Sequence, residues 1–146
     1  MSEQLRQMTA KQCALPPAKY SDLKVLILNC TLKRTPVLSH TEELIKVAQR
    51  IFESNGVSTK IIRPVDYYIP AGLGLDMSQT PEWDRDDWPT IQGEIDACDI
   101  LIIGTSVWLG EKSSVCNRAL ERMYGYTHQF NAKGQYRDYG KVGATL

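Results

Sequence analysis

Lys24-Val25-Leu26-Ile27-Leu28-Asn29-Cys30-Thr31-Leu32-Lys33-Arg34-Thr35-Pro36-Val37-Leu38-Ser39-His40-Thr41 is the stretch on which the fold turns. Val25 to Leu28 are apolar without alternation, the pattern of a strand buried on both faces of a parallel sheet. From Ser39 onward the period changes. Leu44, Val47, Ala48, Ile51 and Phe52 recur at steps of three and four, so one face of a helix is apolar and packs on the sheet. Ser39 and Glu42 have the spacing of a capping box, and Asn55-Gly56 offers residues able to close the helix in the left-handed conformation. The unit is strand, loop, helix.

The loop between them carries hydroxyls and two cations and ends at the free N–H groups of a helix start, which makes it a candidate anion site. In an open α/β sheet, ligands gather at the carboxyl ends of strands where the winding reverses, and a first strand is often that point. The residues leave two readings open for Ser39: a helix cap, or a ligand for an anion.

At 146 residues the chain suits one domain with its own core. Seventeen acidic and seventeen basic residues balance, so no broad field draws nucleic acid or an anionic membrane. No apolar run approaches the roughly 20 residues of a spanning helix, and Met1 to Lys11 are too polar for a secretory signal. A soluble, cytoplasmic protein without nucleic-acid or membrane partners is expected. The four cysteines, Cys13, Cys30, Cys98 and Cys116, form no Cys-x-x-Cys pair, so neither a metal site nor a redox dithiol is written in them.

Along the chain, residues 1–21 lack periodicity and read as an extended arm, with the domain over 22–146. Val57 to Arg63 is expected to be a second parallel strand. Val65 to Trp88 is long, rich in Asp, Pro and Gly, and aromatic, which suggests a lid or an interface. Gly72-Leu73-Gly74 lacks the third glycine of a dinucleotide fingerprint and no long strand feeds it. Asp87 is expected to cap a helix from Trp88 to Ala97 whose face is Ile91, Ile95 and Cys98. Ile100 to Ile103 reads as a third buried strand, followed by a second loop, Gly104 to Glu111. Ser113 or Ser114 then starts a helix with Cys116, Ala119, Leu120 and Met123 inward. Tyr124 to Tyr139 is irregular, and Lys141 to Leu146 is a fourth strand.

The two loops together resemble those of the flavodoxin-like NADPH-dependent FMN reductase family. The family's Gly-Ser-x-Arg and Ser-Asn-Thr elements appear here as Cys30-Thr31-Leu32-Lys33 and Ser39-His40-Thr41. Its Thr-Pro-x-Tyr-x-Gly loop is similar to Thr105-Ser106-Val107-Trp108-Leu109-Gly110. The resemblance implies a doubly wound parallel sheet of order 2-1-3-4, with the family's fifth strand absent from this chain. It implies FMN as cofactor, its phosphate on Thr31, Lys33, Ser39, His40 and Thr41 and its ring against Thr105, Ser106, Val107, Trp108, Leu109 and Gly110. It further implies NAD(P)H as electron donor and a quinone, flavin or similar small molecule as acceptor. Cys30 departs from the family's glycine and Ser106 from its proline. The family continues past the fourth strand into a third flavin loop. If the 146 residues are the whole molecule, FMN is expected to bind more weakly here than in complete relatives; if they are a fragment of a longer product, the downstream segment is expected to restore binding.

Two other classes compete. Cys30, after a buried strand and before a helix, invites comparison with thiol phosphatases, but their Cys-x5-Arg motif is not met: Pro36 stands where the arginine is needed and Arg34 comes two residues early. The alternative is a flavodoxin-fold protein that has lost tight flavin binding and serves as a non-catalytic interaction or structural protein. The sticky aromatic segments and the arm suggest a homo-dimer or tetramer.

Overall fold

Alternate residues of the first strand face two different cores, because the strand lies in the middle of the sheet. The computed structural model describes residue 7 and residues 20–146. Almost all of the expected arm, residues 1–21, therefore lies outside the described residues. The central strands are β1 (Lys24–Asn29) and β3 (Ile100–Gly104), flanked by β2 (Ser58–Ile62) and β6 (Val142–Thr145), all parallel in the order β2-β1-β3-β6. This is the expected order, with β6 as the fourth strand. A separate two-stranded hairpin joins β4 (Val107–Trp108) to β5 (Glu111–Lys112).

Helix α1 (His40–Ser54) covers one face of the sheet, where Val25 and Ile27 meet Ile45, Val57 and Ile102. Helices α2 (Trp88–Ala97) and α3 (Ser114–Tyr124) cover the other, where Leu26 and Leu28 pack with Trp88, Ile91, Ile95, Cys116 and Ala119. Burying each of these large aliphatic side chains contributes about 1.5–3 kcal/mol. The C-terminal end of α1 forms as its sequence foretold, and at the N-terminal end the Ser39 half of the capping box forms while the Glu42 carboxylate turns to Arg63. The Ser39 hydroxyl accepts the Glu42 N–H at 3.1 Å. At the other end Gly56 takes φ 75°, while its N–H bonds the Glu53 carbonyl and the Val57 N–H bonds that of Phe52, each at 3.0 Å. That paired closure is a Schellman motif, and a residue without Cβ enters it freely.

Three expectations need correction. Asp87 sits at the start of α2 but makes no capping bond; the carboxylate of Asp86 accepts the Trp88 N–H instead, at 2.9 Å. Leu120 is exposed, while Arg122, one turn from Ala119, is fully buried. The helix tolerates this inversion because the Arg122 guanidinium meets the Asp86 carboxylate at 2.6 Å, both side chains being wholly shielded from solvent. Trp88, counted among the aromatics of the lid or interface, starts α2 as expected but is fully buried in the core.

The long segment from Val65 to Asp87 is tied down by bonds to α3 and its C-terminal extension. Arg118 donates to the Ile69 carbonyl at 2.8 Å, and the Tyr126 hydroxyl donates to the Leu75 carbonyl at 2.6 Å. A Cβ on Gly125 would sit 2.3 Å from the Leu73 carbonyl oxygen, so the backbone approach there requires glycine. These contacts strap the segment to α3 and its extension. In the 124–139 segment, Phe130 and Tyr136 form an antiparallel bridge, with their rings 4.9 Å apart.

Candidate functional site

The register places Asn29, the last residue of β1, beside Gly104, the last of β3. Both loops singled out in the sequence therefore leave the same end of neighbouring central strands. The winding reverses between β1 and β3, so the crevice above them is where open α/β sheets collect ligands.

Several bonds hold the two loops together. The Cys30 N–H bonds the Gly104 carbonyl at 2.7 Å, and the Ser113 hydroxyl donates to the Cys30 carbonyl at 2.7 Å. Thr105 donates its hydroxyl to Ser113 Oγ and accepts the Ser113 N–H, both at 3.2 Å. Ser113 Oγ also accepts the Cys116 N–H at 3.1 Å, which caps α3. A Cβ on Gly104 would lie 2.8 Å from Ile45 and 3.3 Å from Thr41, so α1 starts hard against the end of β3.

Within the first loop, Thr31, Ser39 and Thr41 are buried, while Lys33 and His40 are exposed. The Thr31 N–H bonds Asn29 Oδ1 at 3.3 Å and the Lys33 N–H bonds Thr31 Oγ1 at 3.2 Å, which curls the chain over the end of β1. Lys33 Nζ reaches back to the Leu38 carbonyl at 3.1 Å, and among the described residues no carboxylate pairs with it. The first α1 amides to bond inward are those of Glu42 and Glu43, to the Ser39 carbonyl at 3.1 and 3.3 Å. The amides of His40 and Thr41 precede that ladder. Ser39 caps, yet a hydroxyl that accepts one bond keeps its proton to donate, so both readings of this residue are compatible. Asn29 Nδ2 is buried and has no partner among the described groups. A shielded amide donor left unpaired beneath such a loop is costly unless something completes it.

The second loop is different in character. Thr105 and Ser106 are half-buried at its base, but Val107, Trp108, Leu109 and Gly110 stand out in solvent on the β4–β5 hairpin. Leu109 (φ 53°) and Gly110 (φ 81°) both adopt the left-handed region, as a tight two-residue hairpin turn demands. A leucine there is strained and fully exposed. The hairpin thus offers an uncovered apolar surface next to the polar loop.

Cys30 makes no claim as a nucleophile. Its side chain is buried in the core with Cys116, and burial, then the neighbouring Cys116, push its thiol well above the ordinary range. An activated thiolate needs the opposite environment. The same burial takes the side chain out of the loop, so its departure from the family's glycine leaves the loop backbone able to close. The sequence reading had Asn29 at the start of the first loop and Ser113 as a possible helix start but gave neither a part in the site, and it missed Arg63 and Asp66, which lie in other segments.

An open α/β sheet of order 2-1-3-4, with a hydroxyl-rich loop and an apolar hairpin at the switch point, defines a flavodoxin-like protein. The chain belongs to the NADPH-dependent FMN reductase family, whose model matches residues 23–144. The family is the one described by NADPH-dependent reduction of FMN.

The chain is 31% identical over 128 residues to an 8-demethyl-8-aminoriboflavin-5'-phosphate synthase of Streptomyces davaonensis, covering 85% of this chain and 50% of that protein. It is 38% identical over 138 residues to a divalent metal cation transporter, MntH, of Mycobacterium bovis, covering 94% of this chain and 20% of that protein. The crystal structure of RosB with a bound 8-demethyl-8-formylriboflavin-5'-phosphate intermediate superposes with a TM-score of 0.73 at 31% identity, over 85% of this chain and 51% of that one. The chain spans about half the length of the flavin-phosphate relatives and a fifth of the transporter. Among the described residues no helix is long and apolar enough to cross a membrane, and no group of three His, Cys, Asp or Glu could hold a metal ion.

Proposed function

We propose that this chain is the flavin-holding part of an NAD(P)H oxidoreductase that passes electrons to a quinone, flavin or similar small acceptor. The observation that carries the reading is the juxtaposition of two loops at the carboxyl ends of β1 and β3, with the unpaired Asn29 amide beneath the first. Thr31, Ser39 and Thr41 supply hydroxyls to the FMN phosphate, His40 and Thr41 their backbone amides, and Lys33 a cation with no competing carboxylate among the described residues. Thr105 and Ser106 form the floor and Val107 to Gly110 the apolar side of the ring site. FMN held there would supply the chemistry of hydride transfer between a nicotinamide donor and the acceptor, which belongs to the flavin itself. The chain's own residues bind, orient and shield, and none is required as an acid or base. The two relatives that carry riboflavin 5'-phosphate derivatives in their names support a site built for a phosphorylated flavin. Transport is left with the relative that is named for it.

Titration of flavin fluorescence tests this. The wild-type chain is expected to prefer FMN over riboflavin, and Lys33→Ala with Ser39→Ala to weaken FMN by at least about tenfold, as the loss of charge-assisted bonds implies. Unchanged affinity in that double variant removes the phosphate assignment. Consumption of NAD(P)H with a quinone then identifies donor and acceptor.

We further propose that the molecule is a homo-dimer or tetramer. Tyr124, Phe130, Tyr136 and Tyr139 are exposed together on the 124–139 segment, more aromatic surface than a small monomer needs. Light scattering at micromolar concentration is expected to return a mass of two or four chains; a monomer mass disposes of this.

A further inference from the structure

We infer that Arg63 is the positioning residue of the phosphate loop, acting on the anion without touching it; the inference rests on the FMN reading above. Arg63 follows the last residue of β2, and its side chain is only 7% exposed. Its guanidinium reaches across the end of β1 into the first loop, where Nη1 donates to the Lys33 carbonyl at 3.2 Å and to the Val37 carbonyl at 2.9 Å. Nη2 pairs with the Glu42 carboxylate in the first turn of α1. A second tether lies alongside: Asp66 accepts the Thr35 N–H at 3.0 Å and the Thr35 hydroxyl at 2.7 Å.

These contacts act on the two things that would repel a phosphate. A trans peptide is rigid, with its carbonyl and the following N–H on opposite sides. Holding the Lys33 and Val37 carbonyls toward Arg63 therefore turns the amides of Arg34 and Leu38 to the face away from it, and keeps two carbonyl dipoles off that face. Glu42 stands in the turn that would receive a dianion, where a free carboxylate would oppose binding. Its pairing with Arg63 offsets that charge and fixes it to the β2 side. Arginine suits the task because its donors are fixed in one rigid planar fork spread over two carbonyls and a carboxylate, whereas lysine offers a compact point charge.

The test compares FMN with riboflavin, since a role confined to the fold changes both alike. With the full chain, Arg63→Gln is expected to weaken FMN about tenfold, the loss of one to two bonds' worth of organisation, and to leave riboflavin within about twofold. Adding Glu42→Gln to that variant is expected to recover part of the FMN affinity, because the unpaired carboxylate is gone. Equal weakening of both flavins, or none of either in a folded variant, overturns the inference. Should Arg63→Gln not fold, Arg63→Lys decides: it keeps the buried charge, and the same selective loss for FMN supports the role while unchanged selectivity overturns it. The phosphorus resonance of bound FMN is expected to shift in Arg63→Lys, and an identical resonance counts against the role. If the wild-type chain binds riboflavin as well as FMN, it is the phosphate reading that has failed, and this inference falls with it. If that preference is present and both Arg63 variants retain it, only the inference has failed.

Discussion

Asp86→Ala is expected to destabilise the domain by about 3–5 kcal/mol, because it leaves the buried guanidinium of Arg122 without its counter-charge. Asp86 is a junction of three elements. Its carboxylate accepts the Met77 N–H of the strap at 2.8 Å and the Trp88 N–H of α2 at 2.9 Å, besides the Arg122 bond. Arg122 makes few other bonds: Nε and Nη1 are buried without hydrogen-bond partners among the described groups. Its remaining contact, to the Leu75 carbonyl, is long at 3.3 Å. Thermal unfolding followed by circular dichroism is expected to fall by roughly 10–20 °C, given the entropy of unfolding of a domain this size. A double replacement, Asp86→Leu with Arg122→Met, removes both charges and is expected to cost less than Asp86→Ala alone. A loss below about 1 kcal/mol for Asp86→Ala, the size of an exposed pair, would show that solvent reaches the guanidinium after all.

Ser113→Ala is the second large effect expected, about 2–4 kcal/mol, and it acts on stability and on the candidate site together. The hydroxyl caps α3 through the Cys116 N–H, satisfies the buried Cys30 carbonyl and meets Thr105 Oγ1. Loss of the cap accounts for about 1 kcal/mol, and the stranded carbonyl for about 1–3 kcal/mol more. The same atom joins the base of the first loop to the base of the second, so FMN affinity is expected to fall at a temperature where the variant remains folded. Urea unfolding and flavin titration on one preparation measure both. Weakened FMN with full stability, or lost stability with FMN affinity intact, would separate the two roles and refute their joint assignment to this hydroxyl.

Much of the architecture was legible because its signals are local. The unbroken apolar runs at Val25–Leu28 and Ile100–Ile103 can only be satisfied in strands covered on both faces, and both are central in the sheet. Ser39 and Gly56 marked the ends of α1 within a few residues of the bonds they make. Once β1 and β3 are central and parallel, the loops that follow them must emerge at the same end. Their juxtaposition thus follows from pattern and topology.

What surrounds those loops was not legible. Asp86 and Asp87 are adjacent carboxylates before the same helix, and nothing local says which one caps it. Asp86 does so because Arg122, 36 residues away, is drawn under the strap beside it. Helical period put Leu120 inward and left Arg122 out of the face; in the fold Leu120 is exposed and Arg122 is buried against a carboxylate from a distant segment. Arg63 reads in the sequence as the polar end of a strand, and becomes a clamp because β2 returns beside β1 and brings it to carbonyls 30 and 26 residues away. Periodicity and caps report what a residue does with its neighbours along the chain, and they determined the strands, the helices and the two loops. Which buried charge meets which carbonyl depends on distances that exist only after the chain has closed on itself, and the tertiary structure alone decided that.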